Sequence, residues 1–351
     1  MMRSDDMAKI FLSADSTCDL SGEILERCKV KLIPLHIILE VRELYANPLY
    51  DDNTRLYEDD FLSDDHIGGI HGGFSGFNIS SRHSLLKDDD MKPKPVYVLY
   101  EEKNYLDGVN IHPDDIYDNF AKTKKLPKTA AVNIQEYIDV FKPLVEEGYD
   151  IIHINLGSAI SSSYQNCVTA AREFEGHVYP IDSCNLSSGS GHLVIEAAKR
   201  IADGMPANEI VEEIKELVPK CHSSFIIDKL DYLRAGGRCS TLAMLGANLL
   251  KLKPCIEVSN KDGSMTVGKK YRGKLENVLV QYVHEQLEKY ENIRNDKIFI
   301  THAGIGDEYV EIVKAELEKL HYFTEIFIER ASCTISSHCG PGTLGILFMT
   351  E

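Results

Sequence analysis

No C-x-x-C pair occurs among the nine cysteines of this 351-residue chain, and its 13 histidines show no paired spacing with cysteine. These absences argue against a metal site. Cys18, Cys167, Cys184, Cys239, Cys255 and Cys333 lie beside or within apolar segments. Reduced, mostly buried thiols in a reducing compartment are therefore expected. Positive charge is scarce as well: 38 basic residues face 55 acidic ones, for a net charge of −17. Such a surface repels nucleic acid and anionic lipid, so neither is an expected partner. No apolar run approaches a membrane span, which excludes stable membrane insertion. The start leads straight into the strand pattern Lys9–Ala14, with no signal h-region or cleavage pattern. A soluble, cytoplasmic protein is expected.

Catalytic signatures are equally thin. There is no G-x-S-x-G elbow, and Ser187-Ser-Gly-Ser-Gly-His192 lacks its spacing. A nucleophilic pair of Ser158 with His338 would have to meet across domains, without a third group to orient the imidazole. The terminal run Ser332–Gly345 carries Gly340, Gly342 and Gly345 in a G-x-G-x-x-G pattern. A dinucleotide site needs a long helix and a second strand after it, and too little chain follows. What remains is His338 beside a Gly-Pro-Gly turn that closes into an apolar strand.

What is present is alternation. Strand patterns at Lys9–Ala14, Leu32–Leu39, Ile151–Leu156 and His177–Ile181 alternate with helix patterns at Gly22–Cys28, Ile134–Glu147, Ser162–Phe174, Gly191–Ala202 and Ala207–Leu217. This rhythm predicts a parallel sheet covered by helices on both faces, an α/β/α domain. From His222 the rhythm changes. A strand at Ser224–Ile227, an apolar helix at Thr241–Leu252 and a hairpin of Pro254–Val258 with Ser264–Val267 are expected. Helices at Leu275–Tyr290 and Asp307–Leu320 follow, with strands at Ile298–Thr301, Thr324–Glu329 and Gly345–Met349. The fold class is α/β with two domains: residues 1–220 around the parallel sheet, and a smaller α/β domain with a mixed sheet over 221–351. Residues 44–102, acidic and Gly-rich, fit neither and read as an insertion. Its Phe61, Phe74, Phe77 and Tyr97 offer the sharper alternative of a contact surface or cap. His66 and His71 within it are expected to face solvent.

Ligands of a parallel sheet sit at the carboxyl ends of its strands. Asp15 and Asp182 stand there and are expected to act as caps or structural acceptors. The Ser158 loop, with its hydroxyls and helix-start N–H groups, has the chemistry to hold an anion such as a carboxylate. Arg234-Ala-Gly-Gly-Arg238 and Lys269–Lys274 are basic spots against an acidic background, suited to a phosphate.

Seven segments in order resemble the DegV family of fatty-acid-binding proteins. They are Ser13-Ala-Asp15-Ser-Thr-Cys-Asp-Leu20, Ile33-Pro-Leu35, Tyr105-Leu-Asp-Gly108-Val, Ile181-Asp-Ser183, Tyr232-Leu-Arg234-Ala-Gly-Gly-Arg238-Cys-Ser240, Leu252-Lys-Pro254 and His338-Cys-Gly-Pro-Gly342. The resemblance implies a two-domain carrier that encloses one long-chain fatty acid. It would present the carboxyl group to a separate fatty-acid kinase for acyl-phosphate formation, with no catalytic centre or cofactor of its own. Carried over by position, the head-group residues are Thr129, Ser158 and His338, and Arg234 and Arg272 face the phosphate or the kinase. Two hydroxyls and an imidazole suit a carboxylate withdrawn from water. Two alternatives stay open: an enzyme or sensor for a smaller carboxylate or phosphate ligand, and a family member that binds no lipid.

Overall fold

The computed structural model describes residues 9–46, 79–82, 96–239, 241 and 252–351. The first strand, β1 (Lys9–Asp15), leads through a short turn into α1 (Gly22–Cys28) and β2 (Lys31–Ile33). The apolar run expected as one strand, Leu32–Leu39, is divided at Pro34. Proline has no N–H to donate to a ladder, so the chain leaves the first sheet after Ile33. It starts a new strand, β3 (His36–Ala46), in a different sheet.

The strand and helix alternation of the sequence does not predict that second sheet. β3 pairs antiparallel with β5 (Val96–Leu106), in register from His36 opposite Leu106 to Ala46 opposite Val96. β4 (Ile79–Arg82) adds to the outer side of β5, and β6 (Lys128–Ala130) pairs with β3 on the other side, Thr129 opposite Ile37. The span read as an insertion at 44–102 thus begins and ends inside paired strands. Alternation explains the ribbon: Ile37 and Leu39 are buried against Ile111, Ile116 and Cys333, while His36, Ile38 and Glu40 on the other face are only partly buried. Phe61, Phe74, Phe77, His66 and His71 lie outside the described residues.

Between β5 and β6 runs α2 (Pro113–Thr123), whose Asp115 carboxylate accepts from the His112 N–H. After β6 the expected α/β alternation resumes. It comprises α3 (Ile134–Glu146), β7 (Tyr149–Asn155), α4 (Ser163–Ala171), β8 (Val178–Asp182), α5 (Ser188–Ala202) and α6 (Ala207–Leu217). The first sheet has the order β2-β1-β7-β8 and is wholly parallel. Its central strands are buried on both faces toward their carboxyl ends, as their near-continuous apolarity predicts.

The remaining strands form a six-stranded mixed sheet, starting with β9 (Cys221–Ile226). The short helix α7 (Asp231–Gly236) follows, then the hairpin β10 (Leu252–Val258) and β11 (Met265–Arg272). The rest is α8 (Leu275–Leu287), β12 (Lys297–His302), α9 (Asp307–Lys319), β13 (Glu325–Arg330), α10 (Cys333–Cys339) and β14 (Leu344–Met349). The sheet order is β11-β10-β9-β14-β12-β13. The terminal strand is central, antiparallel to both neighbours and buried throughout. The helix expected at Thr241–Leu252 falls mostly outside the described residues, and Leu252 itself begins β10. The chain therefore has the two-domain α/β architecture, with the antiparallel ribbon added to it.

Helix α5 is buried over its first ten residues between the parallel sheet and the mixed sheet. Glycine makes this approach possible, since a β-carbon on Gly191 would lie 2.7 Å from the Cys18 carbonyl oxygen. All nine cysteines are free, seven of them buried and Cys28 and Cys184 partly so.

Candidate functional site

The terminal run read as a turn contains a helix, α10, and its capping comes from distant segments. The Ser332 N–H donates to Asp19 Oδ1 at 2.9 Å. The Cys333 and Thr334 N–H groups donate to the two oxygens of Asp107 at 2.8 and 3.0 Å. Ser16 Oγ donates to the same carboxylate, and Ser187 Oγ donates to Asp19 at 2.6 Å. Two buried carboxylates thus satisfy the N–H groups that every helix start leaves over. Burial pushes Asp19 up to about 7, against the hydrogen bonds from Ser187 and Ser332. At the other end Gly340 takes φ +74°, and a β-carbon there would meet the Tyr232 ring at 2.6 Å. Only glycine closes this helix against that ring.

α10 carries Thr334 and His338 one turn apart, hence on one face. That face lines a cavity of about 80 Å³. Opposite stand Thr129 of β6, Ser161 and Ser162 of the loop after β7, and Arg238 after α7. Leu35, Leu156, Ile160, Leu186, Met265 and Ile335 supply apolar wall. Lining residues come from both sides of Lys220. A second cavity, about 20 Å³, shares Leu186, Ile335 and Cys339 with the first and continues among Phe225, Ala303 and Leu347. A wider groove of about 220 Å³ lies at the start of α10, where Asp19 and Asp107 are turned toward the helix N–H groups.

The central contact is between Thr129 Oγ1 and His338 Nε2, 2.8 Å apart. Burial, with Arg238 adding repulsion, lowers the His338 imidazole to about 4, so it is neutral at pH 7. Its Nδ1 is buried without a partner, and a β-carbon on Gly236 would lie 2.2 Å from it. An unmet lone pair there costs less than an unmet N–H. The favoured tautomer therefore carries its proton on Nε2 and donates to Thr129. The Thr129 hydroxyl proton is then free for a ligand oxygen.

The positions named from sequence separate. Thr129 and His338 come together. Ser158 is exposed and is not among the lining residues; its N–H donates to Asp182 Oδ1 at 3.0 Å. Arg234 and Arg272 are exposed and do not line the cavity either. Arg238, four residues past Arg234, does. Its Nη1 donates to the Gly236 carbonyl at 2.7 Å, which holds the guanidinium at the cavity edge. His338 stands on the last turn of a helix rather than in a loop.

Asp15 and Asp182 are structural acceptors. Asp182 Oδ1 also takes the Cys184 N–H. Asp15 is the hub of a buried network: it accepts from Tyr137 Oη at 2.8 Å and the Leu156 N–H at 2.8 Å, and contacts His153 Nε2 at 3.1 Å. Ser13 Oγ lies 2.9 Å from His153 Nδ1. Ser, His and Asp thus stand in the order of a hydrolytic triad, yet Ser13 and His153 are wholly buried. No substrate reaches that hydroxyl, and the network instead fixes Leu156 at the cavity wall. Among the described residues no group of His, Cys, Asp and Glu is placed to hold a metal ion. No described helix is long and apolar enough to cross a membrane.

Sequence and structure comparisons agree on kinship. A family model described as "Uncharacterised protein, DegV family" matches residues 79–351. A DegV domain-containing protein of Clostridium acetobutylicum is 31% identical over 271 residues, covering 76% of this chain and 94% of that one. A DegV family protein from Thermus thermophilus, described by its fatty-acid binding, superposes with a TM-score of 0.74 at 19% identity, covering 98% of this chain and all of that one. A stearic-acid-binding protein from Eubacterium ventriosum does so with a TM-score of 0.68 at 21% identity, covering 98% of each chain. The residues quoted from sequence, the fold and these likenesses converge: the chain belongs to the DegV family.

Proposed function

We propose that the protein binds one long-chain fatty acid between its two domains and presents the carboxyl group to a separate fatty-acid kinase, which forms the acyl phosphate. The chain itself supplies binding and no catalytic centre. The observation that carries this reading is the Thr129–His338 pair, set in a largely apolar cavity at the junction of the sheets. A carboxylate taken out of water needs donors aimed at it. The Thr129 hydroxyl supplies one, and Arg238 at the edge supplies charge that suits both the carboxylate and a phosphoryl group added to it. The tail runs past Leu186 and Ile335 toward the second cavity. Solved relatives described as binding fatty acids support the same assignment.

The two cavities, about 80 and about 20 Å³, are smaller than the roughly 300 Å³ at which ligand pockets begin. A long tail must therefore part the side chains between them, and this favours a smaller carboxylate as the second reading. A series of straight-chain acids from butyrate to oleate decides between the two. Affinity that climbs with chain length, together with acyl chains recovered by mass spectrometry from the purified protein, is the expected result. Equal affinity along the series, or no rise in Tm with any acid, sinks the carrier reading.

A further inference from the structure

We propose that Thr334 is a ligand-binding residue of this site, its hydroxyl acting as a further donor to the bound carboxylate. The inference rests on the carboxylate reading of the cavity and adds a residue to it. Thr334 is 3% exposed, lines the cavity, and its Oγ1 is buried without a hydrogen-bond partner. Other hydroxyls of α10 and its cap are engaged with the backbone: Ser332 Oγ accepts from the Ile335 N–H, and Ser336 Oγ donates to the Ala331 carbonyl. Ser337 Oγ is also unpartnered, but Ser337 is not among the lining residues. Among the described residues, the buried unpartnered polar atoms on residues lining the first cavity are two, Thr334 Oγ1 and His338 Nδ1. The imidazole Nδ1 lies against Gly236 and carries no proton in the favoured tautomer, which leaves the Thr334 hydroxyl as the unengaged donor.

Geometry makes the assignment specific. Thr334 precedes His338 by four residues, so both side chains project from the same face of α10. The backbone N–H of Thr334 is fixed by Asp107 at 3.0 Å, which sets the residue before any ligand arrives. Leaving a hydroxyl buried and unpaired is unfavourable, and a ligand oxygen that accepts from it relieves that cost on binding. The carboxylate then meets Thr129 Oγ1 from β6 and Thr334 Oγ1 from α10, one donor from each side of the cavity.

The test uses the full chain with oleate as probe, following affinity by titration calorimetry and ligand-free stability by thermal melting. Thr334→Val keeps the shape and removes the hydroxyl. It is expected to weaken oleate binding about tenfold while the ligand-free Tm holds or rises, because an unmet polar group has gone. Thr334→Ser restores the donor and is expected to stay within about threefold of wild type. Oleate affinity in Thr334→Val within twofold of wild type, alongside a tenfold loss in Thr129→Val, overturns this inference and leaves the site reading standing. Wild-type protein with no affinity for oleate or for any shorter acid of the series overturns both.

Discussion

His338 is a neutral imidazole set between a hydroxyl and a glycine, and its titration follows from that setting. Burial and the neighbouring Arg238 lower it to about 4, below the ordinary value near 6.5. Because the folded value is depressed, the group favours the folded state above pH 6.5, and that contribution is lost as pH falls toward 4. Denaturant titrations from pH 7 to pH 4 should show wild type losing stability relative to His338→Gln, by on the order of 3 kcal/mol across the range. Parallel pH profiles for the two proteins would mean that the imidazole is not desolvated as described. Sequence marked His338 and Thr129 through a motif and a position, but not the tight seat at Gly236. That seat depends on α7 and α10 lying side by side, which no local pattern encodes.

At the scale of elements, the short helix α10 is the part most dependent on its surroundings. Seven residues are too few for a helix to stand alone in water, so its N-terminal groups are held by Asp19 and Asp107 from distant segments. Asp107→Ala removes the acceptor of two backbone N–H groups and of Ser16 Oγ. A loss of about 3 kcal/mol in unfolding free energy is expected, with weaker oleate binding because Thr334 and His338 shift together. Asp107→Asn, which keeps one acceptor oxygen, should fall between. An Asp107→Ala protein as stable as wild type would show that the carboxylate does not hold the helix. Asp19 and Asp107 both lie in segments quoted from sequence as family features. Their partnership with α10, about 313 and 226 residues away along the chain, became visible only in the fold.

Across the whole molecule, a buried ion cluster joins the start of β12 in the mixed sheet to α5. Glu196 of α5 accepts from Lys297 Nζ of β12 at 2.9 Å and from Arg294 Nη2 at 3.0 Å, and Arg200 Nη1 adds a third contact at 3.1 Å. Against the upward push of burial, Lys297, Arg294 and Lys199 hold the Glu196 carboxyl well below the usual carboxylate range. Lys297 is only 4% exposed and has Asp296 as a second counter-charge at 2.6 Å, so removing Glu196 leaves the buried cation only partly compensated. Glu196→Ala should cost about 3 kcal/mol, read from denaturant midpoints. The loss should shrink in Glu196→Ala/Lys297→Met, where the under-compensated charge is also gone. Equal destabilisation in the single and double variants would show that charge burial is not the cause.

Local pattern by itself determined most of the regular elements. The apolar periodicities of α1, α6, β7 and β14 sit in residues that neighbour one another along the chain, where propensity and burial agree. It also determined the burial of most cysteines and the motifs that mark kinship. Only the tertiary structure decided that the Leu32–Leu39 run serves two sheets, because the break at Pro34 becomes a change of sheet only when β5 and β6 arrive to pair with β3. Only tertiary structure, too, moved Ser158 to the surface and brought Arg238 and Thr334 to the cavity. A side chain's direction at a site is fixed by packing between segments far apart in sequence, and spacing along the chain carries no record of that packing.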